Sequence, residues 1–329
     1  MIALTPFNPD WGFVCGRVST LEARLLTSEF FNTMVSHPKL EDVMRQLQDT
    51  PLRDFAVSGA DFQDWSGIID QYFHDLVKSI RKDCPNPAIA NLFILRDDYQ
   101  NLKIAVTGQN TYPFPSATLE PEKLAGVSGG DASHLPSPFR EAASAALASV
   151  EETRNQQMVD VVLDAAYLRH ILSLRETTKS ELVRTYIEDF VLSHALVAIW
   201  RRYETGVSAK AIQRYLIPMG NLTSTLSAVL NAGEPSNWPD VVRGSIGELL
   251  RQAIELDEGD AARRFEDLST NHLVAITQRG QGQVSGPERV LAYLRTLASE
   301  AHNLKLIVCG RLSRIEPDNL KRRMRVAHG

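Results

Sequence analysis

Cysteine is nearly absent from this chain. Cys15, Cys84 and Cys309 are the only three in 329 residues, far apart and without a Cys-x-x-Cys pair. That odd, sparse set argues against a disulfide framework and a cysteine-based zinc site, and it fits reduced thiols. No apolar run approaches the roughly 18 residues that read as a membrane-spanning helix, so direct membrane insertion is not expected. The opening stretch MIALTPFNPDWGF has no basic region ahead of an apolar block. It therefore predicts no signal peptide and a cytoplasmic location. An excess of positive charge is also missing. The net charge is −5 and the isoelectric point about 5.9, which argues against a general nucleic-acid partner. The phosphate-binding Gly-x-x-x-x-Gly-Lys loop, the His-Glu-x-x-His helix and the Glu-x-x-His pair of di-iron bundles do not occur. No catalytic, cofactor-binding or metal residue is assigned, and no cofactor is expected.

What is present is helical periodicity. In SHPKLEDVMRQLQDTP, Leu40, Val43, Met44 and Leu47 share one face, with Pro38 suited to the first helical position and Pro51 marking the end. Ile69, Phe73, Leu76, Val77 and Ile80 form a second stripe. Leu163, Ala166, Tyr167, His170 and Ile171 form a third, and Val242, Ile246, Leu249, Leu250 and Ala253 a fourth. Alternation of the strand type with hairpin turn pairs is hard to find. Loops rich in Gly, Pro and Ser fall at about 110–138, 231–240 and 278–287. The predicted fold class is all-α.

One stretch is written twice. DDYQNLKIAVTGQ at 97–109 and SEAHNLKLIVCGRLS at 299–313 both carry an acid, then Asn-Leu-Lys (Asn101 and Lys103; Asn303 and Lys305), then an apolar run, then Gly108 or Gly310. The pattern predicts an acidic helix start and a glycine helix end in each. The two asparagines are expected to be buried and to bond a neighbouring helix backbone, since a buried amide must be satisfied. Lys103 and Lys305 are expected to be paired or to snorkel at the surface. A third, worn copy is IEDFVLSHALVAIWRR, with His194 opposite the asparagines. Internal duplication into three units of about 110 residues follows, with approximate boundaries 1–125, 126–230 and 231–329.

These residues resemble the C subunits of A-type and bacterial V-type rotary ATPases, the counterparts of the d subunit of eukaryotic vacuolar ATPases. The C-terminal stretch from Gly286 to Arg325 carries most of the likeness, through Tyr293, Leu294, Glu300, Asn303, Leu304, Lys305, Gly310, Arg311, Leu312 and Pro317. Trp11, Arg17, Val18, Leu25, Leu26, Ser28 and Thr50 match the family's opening. Leu163, Asp164 and Tyr167 match the start of its middle unit, and Gly220 a later turn. The middle unit departs in lacking Asn-Leu-Lys, and Trp11 stands where a Tyr is usual. The resemblance implies three similar helical units around a pseudo-threefold axis, funnel-shaped and non-catalytic. It implies a seat on the cytoplasmic face of the proteolipid rotor ring, central-stalk subunits D and F as partners, and torque passed between them. Arg17, Asn101, Lys103, Asp164, Tyr167, Glu300, Asn303 and Lys305 would then be structural signature residues.

A basic tail (Arg311, Arg314, Lys321, Arg322, Arg323 and Arg325 against Glu316 and Asp318) suggests electrostatic docking, with Lys321, Arg322 and Arg323 as contact residues. Two other readings stay open. Asp97-Asp98 on a helix is similar to the magnesium–diphosphate motif of all-α terpenoid synthases, since that hard cation takes oxygen ligands. However, Asn101 is neutral and aromatics make up only 7% of the chain. A free-standing helical adaptor would share the fold but not the ordered matches at both ends.

Overall fold

The computed structural model describes residues 9–54, 65–109, 111–112, 114–115, 117–204, 209–255 and 260–325. Pro113 and the first eight residues, on which two of the expectations above touch, lie outside them. Among the described residues every regular element is a helix, as the periodicity predicts. None of these helices is long and apolar enough to cross a membrane.

In chain order they are α1 (Gly12–Glu22), α2 (Ser28–Ser36), α3 (Leu40–Leu47), α4 (Trp65–Asp83), α5 (Ala88–Val106), α6 (Phe139–Thr153), α7 (Gln157–Ser173), α8 (Glu181–Glu204), α9 (Ala209–Leu216), α10 (Thr223–Ala232), α11 (Trp238–Val241), α12 (Gly244–Glu255), α13 (Ala261–Gln281), α14 (Pro287–Leu312) and α15 (Pro317–Lys321). They gather into two compact units, one of residues Met1–Phe93 with Val274–Gly329 and the other of Ile94–Leu273.

The first unit is built on α14. This helix starts at Pro287, whose missing N–H costs nothing at a first helical position. It packs against α1, α2, α3, α4 and α15. Partners on so many sides require apolar residues around most of its circumference. Val290, Leu291, Tyr293, Leu294, Leu297, Leu304, Ile307 and Val308 are all buried. Each such burial is worth roughly 1.5–3 kcal/mol relative to exposure. The short α3 is amphipathic instead, and buries only Val43, Met44 and Leu47.

In the second unit α7 holds the corresponding central place, against α6, α8 and α9. It buries Val159, Val162, Leu163, Ala166 and Ile171 among others. A separate aromatic cluster ties α8, α11 and α13. The Trp200 ring lies edge-on to Trp238 at 5.3 Å and stacks on Phe265 at 6.3 Å.

Several expected boundaries move. α3 begins at Leu40, so Pro38 lies ahead of the helix rather than at its first position. Val242 is buried but extended, and ends α11 rather than opening α12. Gly247 is the reason: a side chain there would run into the Val242 carbonyl, so the helix and the chain preceding it meet only around a glycine. The loop expected at 278–287 shrinks to the residues between Gln281 and Pro287, because α13 runs through most of it. Here too a glycine, Gly280, lets the backbone of Glu288 come close.

Candidate functional site

The twin stretches fall in the middle of long helices, not at helix starts. Asp97 and Asp98 lie ten residues or so into α5, and Glu300 lies well inside α14. The expectation of acids stabilising a helix N-terminus is therefore wrong. Asp98 and Glu300 are buried, at 0% and 3% exposure, and both turn sideways to bind backbone elsewhere in their own unit.

In the second unit the Asp98 carboxylate accepts N–H bonds from Ala117 and Thr118, each 2.8 Å, and the Thr118 hydroxyl at 2.5 Å. One turn on, the Asn101 amide donates to the Phe114 carbonyl at 2.8 Å and accepts the Phe114 N–H at 3.3 Å. An asparagine that both gives to and takes from one residue stands in for a strand partner. It clamps the non-helical chain that follows α5. Lys103 then pairs with Asp164 at 2.6 Å and Asp160 at 3.2 Å on α7, and Arg202 of α8 reaches Asp164 at 3.6 Å. Tyr167, three residues after Asp164, sets its ring 5.7 Å from Tyr99. The Tyr99 hydroxyl lies 3.3 Å from Nδ1 of His170.

The first unit repeats the device with different partners. Glu300 accepts the Leu26 N–H at 2.8 Å. The Asn303 amide donates to the Arg325 carbonyl at 3.0 Å and accepts the Arg325 N–H at 2.8 Å. Lys305 pairs with Asp70 of α4. Arg17 of α1 is also tied to α4, with an ion pair to Asp83 and a 3.1 Å bond to the Ser79 carbonyl. Both asparagines thus hold backbone, but the expectation of a neighbouring helix is corrected: the backbone is that of a returning irregular segment. Helix interiors have no free peptide groups to offer, whereas irregular chain does.

The two glycines differ. Gly108 ends its helix as expected, at φ +85°, with its N–H bonded to the Ala105 carbonyl and that of Gln109 to Ile104. This is a Schellman closure. Gly310 does not end α14, which continues to Leu312. It is there because a side chain would overlap Leu320 of α15, which is fully buried. The Schellman closure of α14 falls four residues later, on Arg314 at φ +55°.

The third copy does not reproduce the clamp. His194 is exposed, stacked 4.0 Å over Phe190, with Nδ1 2.8 Å from the Phe190 carbonyl one turn back. His302, inside the repeat on α14, is pushed down to about 4. Burial does most of this, and the charges of Arg325, Arg295 and Lys305 add to it against a backbone hydrogen bond at Arg323. Asp98, one of the two acids of the magnesium reading, has its oxygens hydrogen-bonded to Ala117 and Thr118. Among the described residues no group of three or more His, Cys, Asp or Glu side chains could hold a metal ion.

Lys321, Arg322 and Arg323 are exposed on the last turn of chain, around α15. That turn is held by Leu320 at one end and by the Asn303–Arg325 pair at the other. Sequence reasoning missed Asp70, Phe114 and Thr118 as partners of the motif, and singled out Leu26 only as a match to the family's opening. None has a local signal for this role, because each meets the motif only through tertiary contact.

Residues 14–323 match the family of ATP synthase (C/AC39) subunits. The C subunit of the V-type sodium ATPase of Enterococcus hirae is 24% identical over 313 residues, covering 92% of this chain and 94% of that one. The C subunit of the A-type ATP synthase of Methanocaldococcus jannaschii is 21% identical over an alignment of 356 residues, covering 98% of this chain and 86% of that one. The chain belongs to the C/AC39 family of V/A-type ATPase subunits.

Proposed function

We propose that this chain is the non-catalytic socket of a V/A-type rotary ATPase. It receives the central-stalk subunits D and F and seats them on the proteolipid ring, from the cytoplasmic side of the membrane. In this role it carries torque for ATP-driven ion transport or ATP synthesis, while nucleotide turnover belongs to other subunits. The observation that carries this reading is the family match, which runs almost the full length of the chain. The paired clamps support it mechanically. A part that transmits torque needs returning chain segments fixed to its long helices, and Asp98, Asn101, Glu300 and Asn303 do this with buried hydrogen bonds.

The duplicated clamp also favours descent of the chain from repeats, which we place at 1–125, 126–230 and 231–329 in a pseudo-threefold arrangement. Lys321, Arg322 and Arg323 are assigned to a partner contact, being basic, exposed and held on an anchored turn. The acidic remainder of the chain suits a basic stalk tip, because complementary potentials set orientation across an interface.

The test is recovery of the tagged chain from detergent-solubilised native membranes, with co-purifying proteins identified by mass spectrometry. Stalk and proteolipid subunits are expected; soluble partners alone would overturn the reading in favour of a helical adaptor. Charge reversal at Lys321, Arg322 and Arg323 is expected to reduce that recovery, and unchanged assembly would remove those residues from the contact. Stalk binding that does not weaken with added salt would rule out the electrostatic match.

A further inference from the structure

The two buried acids of the twin clamps are not equally provided for. Asp98 is met by three donors from residues 117 and 118. Glu300, at 3% exposure, is met by one, the Leu26 N–H at 2.8 Å. Leu26 lies in the short connection between α1 and α2, immediately before Thr27, whose hydroxyl caps α2 by accepting the Phe30 N–H at 3.2 Å. The bond to Glu300 thus ties this connection to α14, beside the turn bonds from the Arg24 N–H to the Leu21 carbonyl and from the Leu25 N–H to the Glu22 carbonyl.

Against the same connection lies a cavity of about 120 Å3, lined by Arg24 and Leu25 together with Leu21, Pro51, Tyr72, Leu76 and Tyr293. It is large enough for several waters. The titratable groups around the corner are Tyr72 of α4 and Tyr293 of α14, both pushed up by burial and by the charge of Glu300, and so neutral hydroxyls. Arg24, from the connection itself, acts on Tyr72. Glu22 and Arg17 of α1 act on Tyr293. None of them neutralises Glu300, for which burial is the dominant influence and the Leu26 N–H the only opposing one.

We propose that Glu300 and the 23–27 connection form a proton-operated catch: with Glu300 neutral the α1–α2 corner stays packed, and with Glu300 ionised it loosens and admits water through the adjoining cavity. A carboxyl in apolar surroundings with one donor favours its neutral form, whereas the open corner solvates the carboxylate. Burial raises Glu300 to about 7, which puts the change inside the physiological range. The sign follows from linkage. An acid raised on closing binds its proton more tightly in the closed form, so the closed form is favoured at low pH and loses ground as pH rises towards the raised value.

The experiment is hydrogen–deuterium exchange of the full chain, native and Glu300→Gln, read on peptides covering residues 23–28. Taking the native-to-variant ratio at each pH cancels the chemical pH dependence of exchange. From about pH 6 to about pH 8 that ratio is expected to rise about tenfold, as the linkage for one such carboxyl requires. A ratio that stays constant would overturn the catch. Should Glu300→Gln fail to fold, native chain labelled with 13C at glutamate carboxyls gives a second reading. One carboxyl must titrate well above the others, near neutrality, and its absence would equally overturn the proposal.

Discussion

The clamp on α5 and the clamp on α14 share the order acid, Asn, Lys, Gly, yet they are built to different tolerances. In the α5 clamp the acid takes three donors, the Lys finds two carboxylates and the glycine closes the helix. In the α14 clamp the acid takes one donor, the Lys one carboxylate, and the glycine is spent on helix packing, leaving an arginine in the left-handed position. What both keep is the asparagine, bonded twice to a single residue of returning chain. Its reciprocal pair needs only the N–H and carbonyl of one non-helical residue, so it makes few demands on the surrounding segments. The number of donors on the acid depends on the whole local path of the chain, and that differs between the two.

The comparison can be broken most forcefully at Asp98. Asp98→Ala would leave two buried N–H groups and a hydroxyl without an acceptor, at about 1–3 kcal/mol each. A loss of about 4 kcal/mol in chemical denaturation is therefore expected. A cost under about 1 kcal/mol would mean that the three bonds contribute nothing net.

Next in size is the pH dependence set by Glu300. Native stability minus that of Glu300→Gln should fall by about 3 kcal/mol between about pH 4.5 and 7, because the raised carboxyl favours the folded form only while protonated. His302, lowered by burial, has the opposite slope, since a histidine buried neutral loses stability as pH falls below its unfolded value. Parallel denaturation curves for native and Glu300→Gln would sink the assignment.

Smaller again are Asn101→Ala and Asn303→Ala, each expected to cost about 2 kcal/mol by leaving the N–H and carbonyl of one residue without the side-chain partner. The loss of exchange protection should be confined to Phe114 in one case and Arg325 in the other. Equal loss at both places from either change would show that the clamps are not independent.

The smallest effects are at the helix ends. Gly108→Ala should cost about 1 kcal/mol, whereas Arg314→Gly should gain a comparable amount, since a left-handed conformation costs a non-glycine residue about 1–2 kcal/mol. Thermal melts of the two variants moving in the same direction would contradict this reading of the two helix ends.

Much of the molecule was legible without coordinates. The all-α class followed from stripes such as Val43, Met44 and Leu47, which the structure buries, because a helix must turn one face to the core every 3.6 residues. The family followed from Glu300, Asn303, Lys305 and their neighbours, and the match over residues 14–323 agrees with it. The stop at Gly108 was readable because a left-handed residue after a helix favours glycine wherever it occurs.

Other features needed the third dimension. Asp98 and Glu300 look like favourable charges at helix starts, and nothing in their neighbours says that each lies inside a longer helix, facing backbone. Gly310 looks like Gly108, but what excludes a side chain there is Leu320, brought back by α15. Leu26, Asp70, Phe114 and Thr118 carry no mark of their role. The sequence by itself determined that the chain is helical, which residues are apolar and which must be satisfied if buried, because these are properties of each residue and its near neighbours. Only the tertiary structure decided who satisfies whom, and with how many donors, because a hydrogen bond depends on where distant segments of the chain are brought together.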